Sequence, residues 1–167
     1  MRLLGAILLS LAFAAVGLTE AQRLRRRARL TSDFASGMDL LRSEIGSRLA
    51  PMPEAAERLA LYGPEGTRGF YTALCAGLEN LGGAQFHELW ERALELTDLP
   101  GPARRALSEL GMSLGRYGAA EQASAITACE LELRREAHRA CEEARVMGRL
   151  RAGLAAGAGL ILAIVLY

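Results

Sequence analysis

Apolar residues follow two unlike patterns along this chain. At its ends they are continuous: residues 3–18 read LLGAILLSLAFAAVGL and residues 152–167 read AGLAAGAGLILAIVLY, sixteen residues each without a charge. Between the ends they recur at three- and four-residue intervals, which places them on one face of successive helices. From 31 to 49 the stripe is Phe34, Met38, Leu41, Ile45 and Leu49. Thr31, Ser32 or Asp33 offers a cap for its start. It should stop before Pro51, because proline pushes the residue before it out of the α region. The stretch PEAAERLALYG restarts with Pro53 in the first turn and ends at Gly63, the usual order of proline and glycine around a helix. Residues 63–69 read as a turn.

Residues 70–81 carry Leu74, Leu78 and Leu81 on one face before Gly82 and Gly83 interrupt them. FHELWERALEL aligns Phe86, Leu89, Trp90, Ala93 and Leu94, with Trp90, the only tryptophan, expected in the core. The PGP at 100–102 is a break. A helix over 103–114 follows with Leu107, Leu110 and Leu114, closing near Gly115 with a turn through Gly118. Residues 119–147 contain neither Pro nor Gly. Ile126, Leu133, Ala140, Met147 and Leu154 repeat there every seven residues, with Cys129, Ala137 and Ala144 between them. That is a heptad-like seam of mostly small residues, suited to close helix packing. Gly148 costs a helix only ~1 kcal/mol. The last helix is therefore expected to run on into the C-terminal apolar segment, approaching ~70 Å at ~1.5 Å per residue, much of it projecting from a membrane.

No alternating stretch predicts a strand, and no internal repeat is present. The expected fold is all-α: a helical bundle with short helices and one long C-terminal helix, flanked by N- and C-terminal membrane-anchor helices. In residue terms this is an N-terminal transmembrane anchor at 1–22, a cytoplasmic helical domain at 23–150 and a C-terminal transmembrane segment at 151–167. Composition agrees. The 167 residues suit one domain, 51% are hydrophobic but only 5% aromatic, and Ala and Leu dominate, a mixture that favours helix over strand. Each apolar run is a little shorter than the ~20 residues that cross a ~30 Å hydrocarbon core. The first extends through Thr19 to Gln22, and local thinning of the bilayer accommodates short spans at modest cost.

Charge decides which way the ends face. Residues 1–30 carry six Arg against Glu20, residues 145–167 carry three Arg and no acid, and residues 31–144 hold 11 Arg against 18 acids. An acidic body with basic ends is a poor nucleic-acid binder, since phosphate binding needs basic residues clustered on the folded domain. Arg23, Arg25, Arg26, Arg27 and Arg29 follow the first apolar run, and Arg145, Arg149 and Arg151 precede the second. The positive-inside rule, applied to each flank independently, puts both on the cytoplasmic side, as a two-anchor topology requires. Those arginines then face anionic headgroups, at roughly 1 kcal/mol each near the surface. A secretory signal peptide with AFA as its cleavage site is the competing reading of the first run, but the arginines directly after it resist translocation.

Little in the sequence points to catalysis. HELW at 87–90 resembles the start of a zinc-protease HExxH, but Glu91 stands where the second histidine belongs. Cys129, His138 and Cys141 do not form a metal set within one chain, because Cys129 lies some 18 Å from Cys141 along one helix at ~1.5 Å per residue. All twenty basic residues are Arg, so a Walker lysine is impossible, and no glycine-rich phosphate motif occurs. The three cysteines, Cys75, Cys129 and Cys141, cannot all pair and contain no CxxC, which reads as free thiols in a reducing compartment. The acid pairs Glu130/Glu132 and Glu142/Glu143 read as a solvated helix face. A non-enzymatic protein without cofactor, metal or small-molecule substrate is expected. A small membrane hydrolase using His87 or His138 is the reading set aside.

The order of motifs resembles the stage III sporulation protein AB family of endospore-forming bacteria over essentially the whole chain. It includes LLGAILL at the start, LLRSEIGSRLAPMPEAAERLA, LSELGMSLGRYGAAEQ, and a long charged helix leading into a terminal apolar segment. Glu44, Pro51, Leu114, Gly115 and Gln122 stand where family residues are expected, while Ser47 replaces a usual tyrosine and Gly118 a usual aspartate. The resemblance implies a component of the membrane complex that links mother cell and forespore, needed for late forespore gene expression. It also implies an all-helical cytoplasmic part similar to the inner-membrane platform protein of type II secretion and type IV pilus machines. The implied partners are membrane lipid, a secretion-type ATPase (stage III sporulation protein AA) and the other membrane proteins of the complex. The implied location is the mother-cell membrane around the forespore, with the central domain in the cytoplasm. The alternative is a platform or adaptor subunit of an ordinary secretion or pilus system.

Overall fold

The computed structural model describes the backbone of residues 2–79, 83–114 and 118–166, and the side chains of 22–79, 83–114, 118 and 120–148. Six helices and no strand are present among these residues: α1 (Arg2–Ser47), α2 (Met52–Tyr62), α3 (Glu65–Glu79), α4 (Phe86–Glu95), α5 (Gly101–Ser113) and α6 (Ala119–Leu166). They divide into two compact units, Arg27–His138 and a second made of Met1–Arg26 with Arg139–Tyr167. Both apolar runs have helical backbone, in α1 and α6. Their side chains, and with them the expectation that they anchor the chain, lie outside the described residues. Among the described residues no helix is long and apolar enough to cross a membrane.

The expected start of a helix at Thr31–Asp33 does not occur, and α1 runs through this stretch unbroken. The capping side chains are used elsewhere. The Thr31 hydroxyl donates to the Arg27 carbonyl one turn back, at 2.9 Å, which is compatible with a continuing helix. The Asp33 carboxylate accepts from the Gly66 N–H at 3.2 Å and so caps α3 from across the bundle. A Cβ at Gly66 would stand 2.6 Å from Asp33 Oδ2, so this cap needs glycine. Pro64 then serves the new helix: both the N–H and the hydroxyl of Thr67 donate to its carbonyl at 2.9 Å. The turn expected over 63–69 is accordingly only Gly63 and Pro64, with α3 beginning at Glu65.

Inside the unit Arg27–His138 the core forms around Phe70. Its ring lies 5.5 Å from Phe34, 5.0 Å from Tyr71 and 4.8 Å from Trp90, all edge-on, which suits the quadrupoles of the rings. Phe34, Met38, Leu41 and Ile45 of the first stripe are buried, as are Leu89, Trp90, Ala93 and Leu94 of α4 and Leu107 and Leu110 of α5. Each such large side chain contributes about 1.5–3 kcal/mol by leaving water. Phe70 and Tyr71 are core residues that the leucine pattern of α3 does not single out. Leu81, placed in that stripe by spacing, lies outside the described residues.

Two stripes end differently from their sequence pattern. Leu49 is not buried: it lies beyond the end of α1, 74% exposed, with φ at 53°. On α6, Ile126, Cys129, Leu133 and Ala144 are buried while Met147 is 46% exposed. A straight helix has 3.6 residues per turn, so a seven-residue repeat slips by about 20° per heptad. The eighteen residues from Ile126 to Ala144 make five turns, which returns Ala144, not Met147, to the buried face.

Candidate functional site

The turn between α1 and α2 is organised by Glu44. Its carbonyl accepts from the Ala50 N–H at 3.1 Å, closing the backbone around Leu49. Its carboxylate, largely buried, lies 3.5 Å from Arg48 and 3.8 Å from Arg58 of α2. The Oε2 atom is enclosed without a hydrogen bond among the described residues, so the two guanidinium groups compensate it by charge alone. Pro51 follows as the residue before α2, with ψ at 148°, and its carbonyl accepts from Ala55 at 3.0 Å. Glu44 and Pro51 thus work as a pair that stops one helix and starts the next.

The turn between α5 and α6 carries the other positions singled out. Leu114 caps α5 with its N–H on the Leu110 carbonyl at 2.9 Å, and its side chain is buried in the core. Gly115 lies outside the described residues. Gln122 opens α6, its N–H donating to the Gly118 carbonyl at 3.0 Å. Beside Gln122, residues Ala123, Ser124 and Thr127 of α6 face Arg42, Ser43, Gly46 and Ser47 of α1 across a cleft of about 340 Å³. The structure therefore brings the surroundings of Glu44 and of Gln122 together. Local patterns could not disclose this, since some eighty residues separate the two walls.

The lining of this cleft is mostly small and polar. Three serines, a threonine and one arginine line it, with no imidazole, thiol or carboxylate among them. The Thr127 hydroxyl is committed to the Ala123 carbonyl at 2.8 Å. Arg42 pairs with Asp39 at 2.5 Å, and that hydrogen bond and charge raise its already high pKa. Elsewhere, burial pushes the Cys129 thiol up to about 12, helped by Glu109 and Glu132, while its Sγ lies 3.6 Å from the Ala106 carbonyl. Cys75 is raised by burial, then by Glu57 and Glu79. The Tyr71 hydroxyl, fully buried and without a hydrogen bond among the described residues, is raised by burial and by Cys129. All three cysteines are free, with Cys141 exposed. Of the residues considered for a metal, Cys129 is buried while His138 and Cys141 are exposed.

The basic flanks are distinct in character. Arg23, Arg25, Arg26 and Arg29 are exposed, whereas Arg27 is half-buried and pairs with Asp98 at 2.7 Å. One of the five arginines in the run is therefore engaged by the body rather than open to solvent. Arg145 is exposed and 3.2 Å from Glu142. The side chains of Arg149 and Arg151 lie outside the described residues.

The sequence profile described as stage III sporulation protein AB matches residues 2–167. A solved structure of a stage III sporulation protein AB is similar to this chain with a TM-score of 0.62 and 19% identity, covering 70% of this chain and 94% of that one. At that identity the likeness speaks for the fold. Curated proteins gave no match.

Proposed function

The chain belongs to the stage III sporulation protein AB family, and from that premise we propose a non-enzymatic membrane component of the mother cell–forespore channel complex, required for endospore formation. In this reading its helical body docks the complex's secretion-type ATPase, stage III sporulation protein AA, against the mother-cell membrane. It also contacts the other membrane proteins of the complex. The observation that carries the reading is the extent of the family match, which runs from residue 2 to residue 167 and so includes both apolar ends. Charge supports the topology: both apolar runs have arginines on the side of the body, and the body between them is acidic. The two runs then act as anchors, with residues 31–144 in the cytoplasm.

Deletion of the gene in its host tests this reading. Spore formation should fail, with late forespore expression lost, and the full chain should restore it while a chain lacking residues 1–22 should not. Normal spore yield in the deletion strain would refute the proposal. Full rescue by the shortened chain would refute the anchoring.

A further inference from the structure

Leu49 is unfavourable twice over. Its φ of 53° is a conformation that glycine takes freely and that crowds the Cβ of other residues. Its apolar side chain is also 74% in water. The turn is held in this shape all the same. The Ala50 N–H is bonded to the Glu44 carbonyl at 3.1 Å, and Arg48 and Arg58 flank the Glu44 carboxylate. A backbone outlier that gains no packing in return marks a working position.

The cleft between α1 and α6 begins two residues away, at Ser47. Two residues of chain span at most ~7 Å, so Leu49 stands at the cleft's edge. Within the cleft, hydroxyl groups are uncommitted. Thr127, like Thr31 and Thr67, donates to a backbone carbonyl. The hydroxyls of Ser43, Ser47 and Ser124 make no hydrogen bond among the described residues. Each offers a donor to an incoming oxygen, as does the Arg42 guanidinium beyond its single contact with Asp39.

Charge selects the occupant. Residues 31–144 hold 11 Arg against 18 acids, so the body as a whole repels an acidic partner. Around the cleft the acids are paired: Asp39 with Arg42, Glu130 with Arg134, and Glu44 with both Arg48 and Arg58. Glu121 turns back to the start of its own helix, where its Oε2 would lie 2.9 Å from a Cβ on Gly118. Arg48 keeps 58% of its side chain in solvent beside Leu49. Donors in a recess, with a guanidinium and an apolar residue at its lip, suit a carboxylate that has an apolar neighbour.

We propose that this edge, Arg48 and Leu49 with the adjoining cleft, receives an acidic segment of the ATPase. A carboxylate of that segment enters the cleft, and a neighbouring apolar side chain covers Leu49. The proposal rests on the docking reading above and gives it a face and a chemistry.

The test measures binding of purified stage III sporulation protein AA to the full chain in lipid discs. Leu49→Gly removes the side chain and relieves the backbone, so it should fold at least as well as the unaltered chain. Ser124→Glu adds a carboxylate at the exposed side of the cleft. Leu96→Ala removes an equally exposed leucine at the end of α4. Leu49→Gly and Ser124→Glu should each weaken binding by about tenfold or more with cooperative melts retained, and Leu96→Ala should leave it unchanged. Binding that survives both substitutions would overturn this face while leaving docking intact. Weakening by Leu49→Gly alone would overturn the acidic occupant. No binding by the unaltered chain would refute the docking reading and the proposal with it. Sedimentation of the unaltered chain and of Leu49→Gly completes the test. A loss of self-association in place of ATPase binding would assign the edge to a second copy and overturn the proposal.

Discussion

The indole of Trp90 fills the middle of the bundle and spends its one donor on the Leu107 carbonyl, at 2.8 Å. It lies so close to α5 that a Cβ at Gly111 would collide with the edge of the ring. Gly111→Ala should therefore destabilise the protein by about 1–3 kcal/mol, the usual cost of overfilling a packed core. Alanine is itself the better helix former by ~1 kcal/mol, so a denaturation midpoint that stays level or rises would contradict the close contact. Cys129 makes a second prediction at this scale. Burial raises its folded pKa from the ordinary 9.0 to about 12, so the unfolded chain releases that proton more readily. The associated stability is present in full below 9.0 and is lost as pH rises from there through about 12. Denaturation midpoints should fall over that window, and Cys129→Ala should flatten the fall. An unchanged slope in the variant would remove Cys129 as its cause.

At the scale of elements, the α1–α2 turn holds a leucine where glycine is the comfortable residue. The left-handed conformation costs a residue with a Cβ roughly 1–2 kcal/mol, against the greater unfolded-state freedom of glycine. Leu49→Gly should raise stability by about 0.5–1 kcal/mol in a thermal melt, and a lowered melting temperature would mean that the leucine is held by contacts its exposure does not reveal. This turn also marks what local sequence could and could not disclose. Helix α2 was legible because Pro53 and Gly63 act within their own turns, and the stripes of α4 and α5 because their faces meet one core. The unbroken α1 was not, because Asp33 looks like a cap for its own helix and serves α3 across the bundle instead. The cleft was hidden for the same reason, since residues 42–47 and 123–127 meet only in three dimensions. Glu44, Pro51, Leu114 and Gln122 were legible through family resemblance alone. The structure adds that Glu44, Pro51 and Leu114 stop or start helices, and that Gln122 opens α6.

Over the whole molecule, the separation of charge is the feature that ties sequence to place: basic at both ends of the chain, acidic between. If both apolar runs anchor with their arginines inward, Cys141 lies on the cytoplasmic side. It is exposed, while Cys75 is half-buried and Cys129 buried, so it serves as a native reporter. A membrane-impermeant thiol reagent should label Cys141 only after lysis, and Cys141→Ser should remove most of the signal. Labelling in intact cells would place the body outside, beyond reach of a cytoplasmic ATPase.

The central claim is that this protein brings the ATPase to the membrane. Its most direct test is the amount of purified stage III sporulation protein AA that binds lipid discs carrying the full chain, compared with empty discs of the same anionic lipid. The account predicts saturable binding that requires the chain and is competed by excess free chain in detergent. Equal binding to empty and loaded discs would contradict it.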